Sequence, residues 1–190
     1  MSERLPYDLN VDMLNTIEKE FDVKKMVENF AQSIAGKEKR EIESVAKRTF
    51  GEYGKNFMKR TLELGEKYTD QTYEILKTAI KKTGRLKFPH VPQRFIEMAY
   101  LSIQPFRELN VVETNQHRFI FRINNCSIFN ALKETCGEEV ANQMPCKHAC
   151  LTASETLYKA LDLKASVSMD ASMDEDGYCQ FAAKNLESIS

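Results

Sequence analysis

RFIFRI, residues 118–123, decides the fold class of this chain. Phe119, Phe121 and Ile123 fall on one side of an extended backbone, with Arg118 and Arg122 on the other. That period-two alternation is the mark of a strand packed on a core by one face. Val111 and Val112 supply its hairpin partner across the turn from Thr114 to His117. Further on, Ala165, Val167 and Met169 alternate with Ser166, Ser168 and Asp170. YCQFAA, residues 178–183, sets Cys179 and Phe181 against Tyr178 and Gln180. The loop from Asp174 to Gly177 ends in the Asp-Gly pair that tight turns favour, so these two runs read as a closing hairpin.

Upstream of the strands the period changes. Val23, Met26, Val27, Phe30, Ala31 and Ile34 recur at helical steps, with Gly36 as the stop. A second helix is expected from Glu38 to Lys67, with Ile42, Val45, Phe50, Tyr53, Phe57 and Leu64 inward. Gly51, Gly54 and Gly65 are expected to weaken or divide it. Asp70 caps a third helix carrying Tyr73, Leu76 and Ile80, which stops at Gly84. The two prolines of FPHVP, residues 88–92, argue for an extended connection. A short helical run from Phe95 to Ile103 follows, stopped by Pro105. Between the strand pairs, helices are expected near Ile128 to Lys133 and from Pro145 to Leu161. The expectation is an α+β fold in one domain over residues 1–190. Residues 1–87 form its helical part, and residues 88–190 a cysteine-bearing, ligand-binding part packed on a small antiparallel sheet.

The 27 Lys and Arg nearly balance the 28 Asp and Glu, so no overall field draws the chain to nucleic acid or to an anionic membrane. MSERLPYDLN at the start lacks the apolar stretch of a secretory signal, and no run approaches the ~20 apolar residues of a membrane span. A cytoplasmic location is the expectation. In a reducing compartment, five cysteines point to buried thiols, a metal site or a reactive thiol rather than to a disulfide framework.

Cys146 and Cys150 lie one helical turn apart if Pro145 opens their helix. The helix terminus, with Lys147 and His148 beside it, would then favour a thiolate at Cys146. That makes Cys146 the leading candidate nucleophile or ligand, with His148 as its acid–base partner. The same face continues through Ser154, Leu157 and Leu161, as a core-facing stripe does, and Cys150 fits that stripe. Cys126 after RFIFRI and Cys179 in the last strand are positioned to join Cys146 and Cys150. Four thiolates would suit zinc or an iron–sulfur cluster, although the paired spacing of such sites is missing. Cys136, beside Gly137 at a helix end, has no assigned partner. Glu155, seven residues after His148, could line a ligand with it and Thr152. His90 and His117 read as loop residues, and Asp170, Asp174, Glu175 and Asp176 as a polar hairpin tip.

In order, FRINNCSIFNALKETCG (residues 121–137), MPCKHACLTASETL (144–157) and DEDGYCQF (174–181) carry a resemblance. This region, less than half of the chain, resembles the L-2-amino-thiazoline-4-carboxylic acid hydrolase-like family, and more distantly the 4-vinyl reductase small-molecule-binding domains. The resemblance implies helices packed on an antiparallel sheet with a ligand pocket between them. It also implies hydrolysis at a C–N or C–S bond of a small heterocyclic or amide-like substrate. Cys126, Cys146 and Cys179 match its recurrent cysteine positions, Cys126 among the ligand-binding residues. Ala171 and Ser168 stand where a zinc site of the vinyl-reductase type would need further ligands.

Two functions are therefore expected in order: a hydrolase using Cys146 and His148, then a non-catalytic small-molecule or metal-binding sensor. A third is a dimerising accessory protein whose cysteines only fill the core. An exposed Cys146 beside a polar pocket would favour the enzyme, a closed apolar cavity the binder, and thiols within metal-bonding reach a metalloprotein.

Overall fold

The first helices are set by side chains that replace the backbone partners a helix end lacks. Asn10 accepts the Met13 amide at 3.0 Å, Asp22 the Lys25 amide at 3.0 Å, and Asp70 the Tyr73 amide at 2.7 Å. The Glu41 carboxylate reaches back to the Glu38 amide at 3.1 Å. In the computed structural model, which describes residue 7 and residues 9–104 and 109–187, these caps begin α1 (Val11–Glu20), α2 (Val23–Ile34), α4 (Gln71–Thr83) and α3 (Lys39–Lys67) respectively. Gly84 ends α4 in the left-handed conformation.

Three sequence expectations for the helices need correction. FPHVP is not an extended connection, because α5 (His90–Ile103) begins inside it. Pro92 falls in its first turn, where a missing donor breaks no intrahelical bond. The glycines do not divide α3, which is continuous. A Cβ on Gly54 would stand 2.0 Å from the Ala149 carbonyl oxygen, and one on Gly65 2.6 Å from Met98 and Phe95 side-chain atoms. These glycines let neighbouring helices approach, which offsets their poor propensity. Finally, Pro145 does not open the helix that carries Cys146. Pro145 lies in the preceding turn and Cys146 is the N-cap of α8 (Lys147–Ala160). Pro105 lies outside the described residues.

After α5 come β1 (Asn110–Thr114), β2 (Arg118–Ile123), α6 (Ser127–Cys136), the single turn α7 (Glu138–Ala141), and α8. The chain then closes through β3 (Ala165–Ala171), α9 (Met173–Asp176) and β4 (Cys179–Asn185). The last hairpin is closed by the one-turn helix α9 and a left-handed Gly177, not by a two-residue turn. The fold is α+β: a four-stranded antiparallel sheet in the order β1-β2-β4-β3, with helices packed against it. Phe121 pairs with Phe181 across β2 and β4, and Ile123 with Cys179. Phe119, Phe121 and Phe181 form a stack on the inner face, with centroids 5.6 and 5.4 Å apart. Ile120, on the opposite face beside Ala182, is also buried.

Helix α5 is the centre of the layer. Every residue from Arg94 to Ile103 is buried, which marks a helix enclosed on all sides. The Tyr100 ring lies 5.3 Å from that of Phe121 and ties α5 to the sheet. On its other flank α3 and α8 make the most extensive helix–helix contact of the described residues.

The close approach of Gly54 to α8 gives a direct test. Gly54→Ala is expected to lower the urea midpoint, with an overpacking cost of about 1–3 kcal/mol. Gly51→Ala, whose new carbon would meet only Thr152 Oγ1 at 3.7 Å, should be neutral or gain up to about 1 kcal/mol of helix propensity. Equal midpoints for the two variants would contradict the close packing of α3 on α8.

Candidate functional site

Cys126 follows β2 by three residues and is the N-cap of α6, Cys146 is the N-cap of α8, Cys150 lies one turn further on, and Cys179 opens β4. All four are buried. They also share one neighbourhood: the Cys146 thiol feels Cys126, Cys150 and Cys179, and Cys150 feels Cys126 and Cys179.

Burial dominates their acidity. It holds the Cys146 thiol well above its ordinary range, and the neighbouring thiols add to the effect. Cys126 is raised by burial, opposed in part by the amides of Phe129 and Ile128 at the start of α6. Cys150 is raised by burial and by Cys126, against a lowering influence from the Tyr100 hydroxyl. Cys179 is pushed up to about 12, by burial first and then by Cys126. A thiol inside an apolar interior keeps its proton because the charged form loses its hydration. The helix-terminus argument for a thiolate at Cys146 therefore meets a larger opposing effect: the residue does cap a helix, but it is only 3% exposed.

One phenol meets the thiols in the interior. Tyr100 is buried and its hydroxyl has no oxygen or nitrogen partner. Its polar neighbours are the thiols of Cys150, Cys126 and Cys179, and it donates to the Cys150 sulfur, a weak acceptor. Beside it is a void of about 10 Å³, room for roughly one water. Tyr53 and Phe57 of α3 wall one side, Ala149 and Cys150 of α8 another, and Ile103 of α5 a third. The Tyr53 hydroxyl is already used, donating to the Phe21 carbonyl at 3.0 Å. The wall carries no Asp, Glu, Lys, Arg or His among the described residues. It is apolar and aromatic, and besides that of Tyr53 its polar side-chain groups belong to Tyr100 and Cys150.

The other candidates lie elsewhere. His148 makes a 2.9 Å contact with Glu43 of α3, and Glu155 is exposed. Neither belongs to the wall of the void. Among the described residues, no three or more His, Cys, Asp or Glu side chains are arranged to hold a metal ion. Cys136 is half-buried, and burial alone raises it. His117 is exposed at the first hairpin, and Asp170, Asp174, Glu175 and Asp176 are exposed at the second. Tyr100 and Ile103 are not singled out by the sequence reading. The signal available is a tyrosine inside the apolar run EMAYLSI, since a buried phenol needs a partner.

A second buried polar cluster lies earlier on α5. Arg94, fully buried, pairs with Asp70 at 3.1 Å and stacks on the Tyr73 ring at 3.9 Å. Glu97 accepts a 2.9 Å hydrogen bond from the Gln93 amide, while its second oxygen is buried without a partner. Burial lifts the Glu97 carboxyl to about 7, against a lowering effect from Gln93. Comparisons with protein-family models, with curated proteins and with solved structures found no match.

The Glu97 carboxyl holds its proton more tightly in the folded state, so its effect on stability runs opposite to that of a salt-bridged acid. Below pH 4.5 both states hold the proton; between 4.5 and about 7 only the folded state does. Stability should therefore fall as pH rises through that window. Glu97→Gln should flatten this slope and raise the melting temperature at pH 8. Each tenfold difference in proton affinity between the folded and unfolded chain is worth about 1.4 kcal/mol, and 1 kcal/mol moves Tm by roughly 2–4 °C in a chain of this size. Thermal melts between pH 4 and 8 test this, and an unchanged slope in the variant would remove Glu97 as its source.

Proposed function

We propose that this protein is a non-catalytic small-molecule-binding module that holds its ligand in the chamber between α3, α5, α6 and α8. The observation that carries this reading is Tyr100 in the wall of the void, its buried hydroxyl without an oxygen or nitrogen partner and held only by the Cys150 sulfur. A buried hydroxyl whose acceptor is a thiol sulfur is held by a weaker hydrogen bond than an oxygen would give. A ligand oxygen would supply the stronger one. Binding pockets are built in this manner, from an apolar wall and a few convergent polar groups. The resemblance of the C-terminal region to the vinyl-reductase-type binding domains points in the same direction.

The hydrolase reading asks more of the same residues. It needs Cys146 as a thiolate, and burial works against the charge. It also needs His148 beside the nucleophile, whereas His148 is engaged by Glu43. An amino-thiazoline carboxylate would further require a cation for its carboxylate, and the described chamber wall has none.

Tyr100→Phe separates a binding role from a structural one. Removing a hydroxyl that has no strong partner should leave the ligand-free melting temperature equal or higher. The stabilisation produced by an uncharged ketone such as acetophenone should fall, with affinity reduced about 2- to 10-fold for one lost hydrogen bond. A lower ligand-free stability with unchanged ligand response would assign Tyr100 to the fold alone. Hydrolysis of 2-amino-thiazoline-4-carboxylate that disappears in Cys146→Ser would overturn the binder reading in favour of the enzyme.

A further inference from the structure

A cleft of about 630 Å³ opens at the junction of α1 and α2, lined by Asn15, Lys19, Phe21, Val23 and Ile103 among others. Ile103 also forms part of the wall of the interior void. It is 9% exposed, so one side chain faces the outer cleft and the inner chamber together. Phe21 stands beside it in the cleft wall. Its ring packs edge-on against Tyr53 at 5.7 Å and Phe57 at 5.3 Å, both of which line the void. Among the described residues, Ile103 at the end of α5 belongs to both walls, and Phe21 at the end of α1 stands between the cleft and the rings of Tyr53 and Phe57.

The chemistry on the two sides differs. Glu18 and Asp22 in the cleft are balanced by Lys19 and Lys24, so its mouth has no strong preference of sign. The chamber has no ionic group in its described wall, and burial favours the protonated form of its one thiol, Cys150. A charged guest would enter without a counter-ion, at a cost that burial makes prohibitive. A neutral guest would meet aromatic faces, small Ala149 and Ala153, and one hydroxyl donor.

We propose that the chamber takes a compact, uncharged, mainly apolar molecule bearing one hydrogen-bond acceptor for Tyr100, admitted from the α1–α2 cleft by displacement of Ile103 and Phe21. This rests on the binding reading of the same chamber and adds its ligand class and its entrance. The void as it stands has room for roughly one water, so occupancy requires the Ile103 side chain to swing toward the cleft.

The test follows the alkylation of Cys150 by N-ethylmaleimide, located by peptide mass, in the full chain and in Ile103→Ala, with Ile103→Val as the milder variant. Cys136, which is half-buried and away from the chamber wall, reports on general unfolding. Labelling of Cys150 should rise at least tenfold in Ile103→Ala and less in Ile103→Val, with Cys136 unchanged. Cyclohexanone should slow the Cys150 reaction saturably, and cyclohexanecarboxylate at the same concentration should not. Cys150 labelling that stays at the wild-type rate in both variants, with Cys136 unchanged, overturns the entrance. Labelling of Cys136 and Cys150 that rises in parallel in both variants overturns it too, because the exposure is then general. Protection by the carboxylate, or none by the ketone, overturns the ligand class. Failure of the underlying binding reading looks different: ligand-induced stabilisation would then be insensitive to Tyr100→Phe.

Discussion

The approach of Gly54 to the Ala149 carbonyl fixes how far α8 can come toward α3, and the interior is arranged around that distance. A side chain of any size at residue 54 would meet backbone rather than a flexible group, so the interface cannot relax cheaply. With α8 held there, Cys150 and Ala149 stand across the void from Tyr53 and Phe57 of α3. Cys146, one turn earlier, is carried into the interior with them. The sheet fixes the remaining partner: pairing of Ile123 with Cys179 brings the end of β2 and the start of β4 to the same end of the core. The thiol chamber follows from one helix–helix contact and one strand register.

Charge is segregated along α5. Its first half holds Arg94 and Glu97, of which Arg94 is paired with Asp70 while Glu97 is left with one unpartnered oxygen. Its second half, from Met98 to Ile103, offers Ser102 and the Tyr100 phenol as its polar side chains. Ser102 is satisfied by the Met98 carbonyl at 2.5 Å, which leaves Tyr100, with only the Cys150 sulfur as acceptor, as the under-satisfied donor of that half. A low-dielectric region with one directional donor selects ligands by neutrality and by a single acceptor, not by ionic contact. The same burial that keeps the thiols protonated makes a charged guest expensive.

The parts of the fold written in local periodicity were legible in the sequence. RFIFRI, the alternation of residues 165–170, the Asp70 cap and the Gly84 stop each answer to a local rule, and each is found. What failed depended on a neighbour. The α3 glycines look like breaks until Ala149, Phe95 and Met98 are seen against them. Pro92 looks like an obstacle until the helix start is known to lie two residues before it. For the site, the positions of Cys126, Cys146, Cys150 and Cys179 at or near strand and helix ends were readable in the sequence. Their protonation was not, because a helix terminus and burial act in opposite directions at Cys146 and only packing decides which is larger. Tyr100 went unread for the same reason: its lack of a strong partner is a property of four elements together.

The central claim is that the Tyr100 hydroxyl is the polar anchor of an interior site for neutral ligands. The most direct measurement is a titration of protein carrying 13C at the tyrosine ζ-carbon with acetophenone, followed by NMR. The account predicts a saturable shift centred on Tyr100, assigned by its loss in Tyr100→Phe, with Tyr7 and Tyr178 unmoved and no response to benzoate. A Tyr100 resonance that stays fixed while acetophenone binds elsewhere, or that responds equally to benzoate, would contradict it.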